Sequence, residues 1–310
     1  MLKPRALRPG DRIGVVAPAS PFSREAFDAG VAELRRLGYE PVYDDSVFAR
    51  RRYTAGDAAL RAAAFRRAWS DPSIAALIAV RGGYGSVHLL PLLDAAEIRR
   101  TPKAFIGYSD NTSLLAWLTG PCGIVAFHGP MLHGRLARGA TAYDADTFTR
   151  VLTRAEPAGR ISHPQVEALR PGEARGVLLG GTLTQLLASL GTPYAFDPPA
   201  GHILFIDEVA ERPYRIDRML TQLRLSGLLS RASAIVFGEL PRCDELAEGG
   251  PAIKAVVADL LEDFRGPVLF GLPSGHTDGA CMTLPFGVDA RVVTGAEPGV
   301  IVEEAAVARR

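Results

Sequence analysis

Three kinds of side chain at widely separated positions could together perform acyl transfer. The segment KAFIGYSDNTSLLAWL puts Ser109 between an apolar strand and a helix, with Asp110, Asn111 and Thr112 as capping residues. A serine on such a strand-to-helix turn exposes its hydroxyl at the carboxyl edge of a sheet, and the next N–H can help hold an oxyanion. The pattern GxSxG is absent, and Ser109 read alone is more simply an N-cap than a nucleophile. His276, in FGLPSGHT, follows another apolar strand and sits in a loop, where a general base is readily presented. Asp207 and Glu208, in HILFIDEVAERPYRIDRML, end a third apolar strand. Their plainer reading is acids at a helix start, favoured by the macrodipole and by Arg212, Arg215 and Arg218. Together Ser109, one of the two acids and His276 supply nucleophile, orienter and base.

The run AVRGGYGSVHLL has a strand, glycine loop and helix layout. Gly82, Gly83 and Gly85 let the backbone approach a ligand and offer N–H groups to a carboxylate or oxyanion. It matches neither the dinucleotide fingerprint nor the Walker A pattern, so no nucleotide cofactor is expected. His128 and His133 stand five apart in a Gly/Pro-containing loop, the wrong spacing for one helical face, and no metal site is expected.

These residues need a frame that brings strand ends together. The first half alternates strands and helices: strand Arg12–Ala17, helix Arg24–Leu37 with Phe27, Val31 and Leu34 on one face, and extended Pro41–Tyr43. Helix Asp57–Trp69, strand Ile74–Val80, a helix from Ser86, strand Ala104–Tyr108 and a helix from Asn111 to Leu118 follow. Strands apolar on both faces belong to a parallel sheet covered by helices. Periodicity lapses from Arg154 to Arg175, where Pro157, Gly159, Pro164, Pro171 and Gly172 suggest a linker. The expected division is therefore 1–153, a crossover at 154–175, and 176–310. The last part opens with a helix near Thr182–Leu190. It continues with strands at His202–Ile206, Ala234–Phe237, Val268–Gly271, Ala290–Val293 and Val300–Glu303, interrupted by the helix Tyr214–Leu225.

Composition narrows the partners. The 310 residues carry 35 Lys+Arg against 34 Asp+Glu, so the surface lacks the positive excess that nucleic acid or an anionic membrane requires, and the ligand is expected to be small. Lysine occurs only at Lys3, Lys103 and Lys254, and the arginine bias is read as genome composition. Cys122, Cys243 and Cys281 are far apart and odd in number, which fits a reducing compartment. The opening segment lacks a secretory apolar core, and the charge-poor stretches 111–134 and 176–196 are broken by Pro121, Pro130, Gly180 and Gly181. A cytoplasmic protein is expected.

The blocks GVVAPASP, RGGYGS, IGYSDNT, FHGPM, LLGGTLTQL, LFIDEVAERPYRIDRMLTQLRLSG and GLPSGHT, in this order, resemble the LD-carboxypeptidases, the serine peptidase family that also contains microcin self-immunity peptidases. The resemblance runs from about Gly14 to the closing strands. It implies a flavodoxin-like N-terminal α/β domain, a β-rich C-terminal domain and a Ser–Glu–His triad spanning both, with the serine at Ser109 and the histidine at His276. It further implies that the glycines of RGGYG line the substrate site near the oxyanion, with N–H groups of Asp110, Gly82 and Gly83 as candidates to hold it. The implied reaction removes the terminal D-alanine of murein tetrapeptides, at diaminopimelate or lysine, during recycling. No cofactor and a homodimer are implied. One position departs from the pattern: anchored on PYR, the family glutamate falls on Asp207, while the glutamate here is Glu208. Extended backbone sends neighbouring side chains to opposite faces, so one of the two can address His276. The rivals are a microcin-type amidase, which is expected to carry an aromatic residue stacking on a nucleobase, and a non-catalytic small-ligand binder.

Overall fold

The structure, a computed structural model, describes residues 1–244 and 250–309. The first half runs β1 (Arg12–Val16), α1 (Arg24–Arg36), β2 (Glu40–Val42), α2 (Ala58–Ser70), β3 (Ile74–Ala79), α3 (Ala95–Arg99), β4 (Ala104–Gly107), α4 (Thr112–Thr119), β5 (Ala126–His128) and α5 (Ala145–Thr153). Every residue of β3 and β4 is buried, as parallel strands covered on both faces require. Ser23 and Asp57 cap α1 and α2 by accepting from Ala26 N and Leu60 N. The parallel order β2-β1-β3-β4-β5 is the flavodoxin-like one, which gathers the loops after β1, β3, β4 and β5 at a single edge.

The second half runs β6 (Pro157–Ile161), β7 (Glu167–Arg170), β8 (Glu173–Thr182), α6 (Leu183–Ser189), β9 (His202–Asp207), α7 (Pro213–Leu225), α8 (Leu228–Arg231), β10 (Ala232–Phe237), α9 (Ile253–Leu260), β11 (Val268–Phe270), β12 (Leu284–Phe286), β13 (Asp289–Val293) and β14 (Gly299–Ala305). Eight of its strands form a mixed sheet, β6-β14-β13-β8-β9-β10-β11-β7. The ninth, β12, crosses to the first sheet and pairs antiparallel with β5, Leu284 opposite His128.

The structure departs from the sequence reading in several places. The stretch 154–175 is not free of regular structure: it forms β6, β7 and the start of β8. Both β6 and β7 are outer strands of the sheet, where a missing N–H or a glycine is tolerated, so Pro157 and Gly159 fit inside β6. The segment from Ser86 is a 3-10 helix, Ser86–Leu92, because Pro91 lacks the N–H that an α-helical turn would use. α3, β5, α5, α8 and α9 had no counterpart in the sequence reading, and neither did β8 or β12. Among the described residues no helix is long and apolar enough to cross a membrane.

Candidate active site

β4 ends at Gly107, Tyr108 continues extended, and the chain then turns at Ser109, whose φ is +62°. A left-handed residue other than glycine costs about 1–2 kcal/mol, so the surroundings must hold it. They do so through the glycine loop. The buried Asp110 carboxylate accepts from Gly85 N at 3.2 Å and Ser86 N at 2.8 Å, and Ser86 Oγ donates to Asp110 O at 2.5 Å. Asn111 Nδ2 adds a bond to Arg81 O at 3.2 Å. Gly82 lies directly against the Ser109 turn: a Cβ there would stand 2.7 Å from Ser109 Cβ, 2.9 Å from its Oγ and 3.3 Å from Asp110 N. Gly83, with φ of +102°, makes room for Ser20, whose hydroxyl accepts from Tyr84 N at 3.0 Å. Of the sequence-predicted residues, Gly82 thus lies against Ser109 and Asp110 at the carboxyl edge of β3 and β4, while Gly83, the next in the loop, lies against Ser20.

Asp207, the last residue of β9, is fully buried. His276 Nδ1 lies 2.7 Å from its Oδ2, the His276 backbone N–H donates to Oδ1 at 3.0 Å, and Thr182 Oγ1 donates at 3.2 Å. Glu208 turns the other way, as alternation along an extended strand demands. It accepts from Thr184 N at 2.9 Å, Thr184 Oγ1 at 2.6 Å and Val209 N at 3.0 Å, at the start of α6. The loop around His276 can approach this closely because Gly275 has no side chain: a Cβ there would fall 2.5 Å from Asp207 Oδ2 and 2.6 Å from His128 Cε1.

The Ser109 turn and the histidine loop meet through Tyr108. The ring of Tyr108, adjacent to Ser109, meets the imidazole of His276 edge-on with centroids 5.1 Å apart. Burial favours neutral His276, but the charge and hydrogen bond of Asp207, with help from Glu208, outweigh it and hold the imidazole above the ordinary histidine pKa. Burial is also the main cause of the upward shift of the Glu208 carboxyl. At His128 burial outweighs the opposing charge of Asp207: it is enclosed, its pKa is pushed down to about 4, and its Nδ1 pairs with Ser274 Oγ at 2.9 Å.

Sequence reasoning missed Tyr108, Thr182, His128 and Arg135. His128 stood inside one of the recognised blocks, FHGPM, but was weighed only as a metal ligand. Among the described residues, no group of three His, Cys, Asp or Glu is placed to hold a metal ion.

A serine in a strained turn at a sheet edge, and a histidine bonded to a buried carboxylate of the second sheet and packed on the serine's neighbour Tyr108, are groups that a hydrolase can use. The chain belongs to the LD-carboxypeptidase family, whose N-terminal domain matches residues 13–129 and whose C-terminal domain matches residues 175–292. It is 37% identical over 300 residues to a Streptomyces coelicolor protein provisionally named a carboxypeptidase, with 94% of this chain and 93% of that protein covered. To the murein tetrapeptide carboxypeptidase of Pseudomonas aeruginosa it is 31% identical over 272 residues, covering 86% and 88%. The solved structure of microcin C7 self-immunity protein MccF with aspartyl sulfamoyl adenosine superposes with a TM-score of 0.92 at 26% identity, covering 99% of this chain and 100% of the other.

Proposed function

We propose that the protein is a serine L,D-carboxypeptidase that releases the terminal D-alanine of murein tetrapeptides in cytoplasmic peptidoglycan recycling. It would act as a homodimer, without metal or organic cofactor, with the nucleophile carried by residues 1–153, a crossover at 154–175, and the acid and histidine carried by residues 176–310. Ser109 Oγ attacks the carbonyl carbon of the diamino acid's L-centre while His276 Nε2 takes its proton and passes it to the departing D-alanine amine. Asp207 keeps the Nδ1 proton in place, and water then releases the acyl group by the same base. N–H groups of Gly82, Gly83 and Asp110 hold the developing oxyanion. The observation that carries this reading is the Asp207–His276 pair, 2.7 Å apart, with the imidazole against Tyr108, whose neighbour Ser109 is in left-handed backbone beside Gly82.

The microcin-type amidase is disfavoured by the tryptophans: Trp69 in α2 and Trp117 in α4 are both buried, so neither can stack on a nucleobase. The test is D-alanine release by the purified full chain from synthetic tetrapeptides ending in diaminopimelate–D-alanine or lysine–D-alanine. Release from either supports the proposal. No release, together with cleavage of aspartyl sulfamoyl adenosine, would assign the amidase reaction instead, and saturable tetrapeptide binding without turnover would make the protein a binder.

A further inference from the structure

Arg135 lies between β5 and α5, far in sequence from the histidine loop, and is only 5% exposed. Its guanidinium donates to three carbonyls of that loop: Nη2 to Gly275 O at 3.0 Å and Thr277 O at 2.8 Å, Nη1 to Gly279 O at 3.1 Å. Two of these flank His276. The ring of Tyr108, next to Ser109, packs edge-on against the imidazole that this loop carries, and its hydroxyl interacts electrostatically with Arg135. The arginine is itself firmly mounted on the first sheet, since Leu132 N and His133 N bond to Ala79 O and Val80 O at 3.2 and 2.7 Å. Leu132 also packs so closely on α1 that a Cβ at Gly30 would fall 2.5 Å from its Cγ.

We propose that Arg135 is a positioning residue: by tying the carbonyls on either side of His276 to the first sheet, it sets where the imidazole stands relative to Ser109. This rests on the serine carboxypeptidase reading above. The planar fork of arginine suits the task because it can address several acceptors at once in fixed geometry, which a lysine ammonium cannot. Burying the cation is compensated by carbonyl dipoles and by the nearby negative charge of Asp207.

The groups around His276 are Asp207 from the end of β9, Tyr108 from just beyond β4, His128 from β5, and Arg135, with Cys281 close to Arg135 and Asp207; Glu208 turns away but its charge still reaches the ring. The acids favour imidazolium and Arg135 opposes it. Removing the Arg135 cation therefore raises the His276 midpoint, and the acid limb of kcat/KM moves to higher pH.

The experiment combines histidine-ring NMR titration of the unloaded full chain with pH profiles of D-alanine release, for wild type, Arg135→Met and Arg135→Lys. Arg135→Met should raise the His276 midpoint by about half a unit to one unit and lower kcat/KM by roughly 10–100-fold, mostly through kcat. Arg135→Lys should leave the midpoint near wild type yet lose most of the rate. Full rate in Arg135→Lys would overturn the proposal, as would an unmoved midpoint and rate in Arg135→Met. If Arg135→Met does not fold, the rate of Arg135→Lys decides. If the wild type releases no D-alanine, the carboxypeptidase reading fails, whereas the NMR titration still decides whether Arg135 governs His276.

Discussion

Replacing Asp207 by asparagine changes the site by one atom, and the consequence can be traced bond by bond. The amide oxygen in the place of Oδ1 still accepts the His276 backbone N–H, and the amide nitrogen in the place of Oδ2 can donate to Thr182 Oγ1 as well as to the imidazole. Packing and hydrogen bonding are therefore preserved, and the melting temperature should change little. The imidazole is not preserved in function. With a donor now facing Nδ1, the ring must carry its proton on Nε2, the atom that has to accept from Ser109. In a triad of this kind the wrong tautomer costs on the order of 10⁴ in kcat, about 5.4 kcal/mol of transition-state stabilisation. Loss of the carboxylate charge also lowers the His276 pKa, which Asp207 holds up against burial. The acid limb of the profile thus moves down in pH, and measurement on the alkaline plateau isolates the tautomer effect from simple protonation. Glu208→Gln is the control: it retains one oxygen to accept from Thr184, should cost about 1 kcal/mol of stability, and should change kcat/KM less than about tenfold. A coupled D-alanine assay on both variants checks the reasoning. A larger loss in Glu208→Gln than in Asp207→Asn would move the orienting role to Glu208, and two mild losses would leave no carboxylate in it.

Ser109→Ala and His276→Ala should each abolish turnover with the melting temperature nearly unchanged, and the double variant should be no worse than either, because such residues act as a unit; a fully active Ser109→Ala would end the mechanism. Gly82→Ala should cost at least about 100-fold in kcat, since its methyl would stand 2.7 Å from Ser109 Cβ and displace the nucleophile turn. Its φ is outside the left-handed region, so stability should fall through that contact rather than through backbone strain, and near-normal turnover would show that the glycine loop does not border the reacting atoms. Saturating EDTA should leave D-alanine release unaltered; loss of activity restored by zinc would overturn the metal-free assignment.

What could be read from the sequence follows from the range of each interaction. The strands of the first sheet were legible because burial on both faces leaves an apolar run such as IAALIA, and Ser109, Asp207 and His276 were legible because each adjoins the end of such a run. Even the direction in which Asp207 and Glu208 diverge is a local property, the two-residue repeat of extended backbone. Edge strands carry no such run: β6 has a proline and a glycine within five residues and still pairs with β14, since an outer strand need satisfy only one side. β12 is three residues long and pairs with a strand some 150 positions away, so nothing near it announces which sheet it joins. Arg135 was hidden for the same reason, compounded by abundance: in a chain whose cations are nearly all arginine, one more in a Gly-rich loop is unremarked. What sets it apart is that folding buries it and spends its donors on a loop 140 residues or more along the chain. The partners of the nucleophile were visible as residue types at strand ends. The means of holding them at the right separation was not, because that is a relation between two sheets and exists only once both have formed.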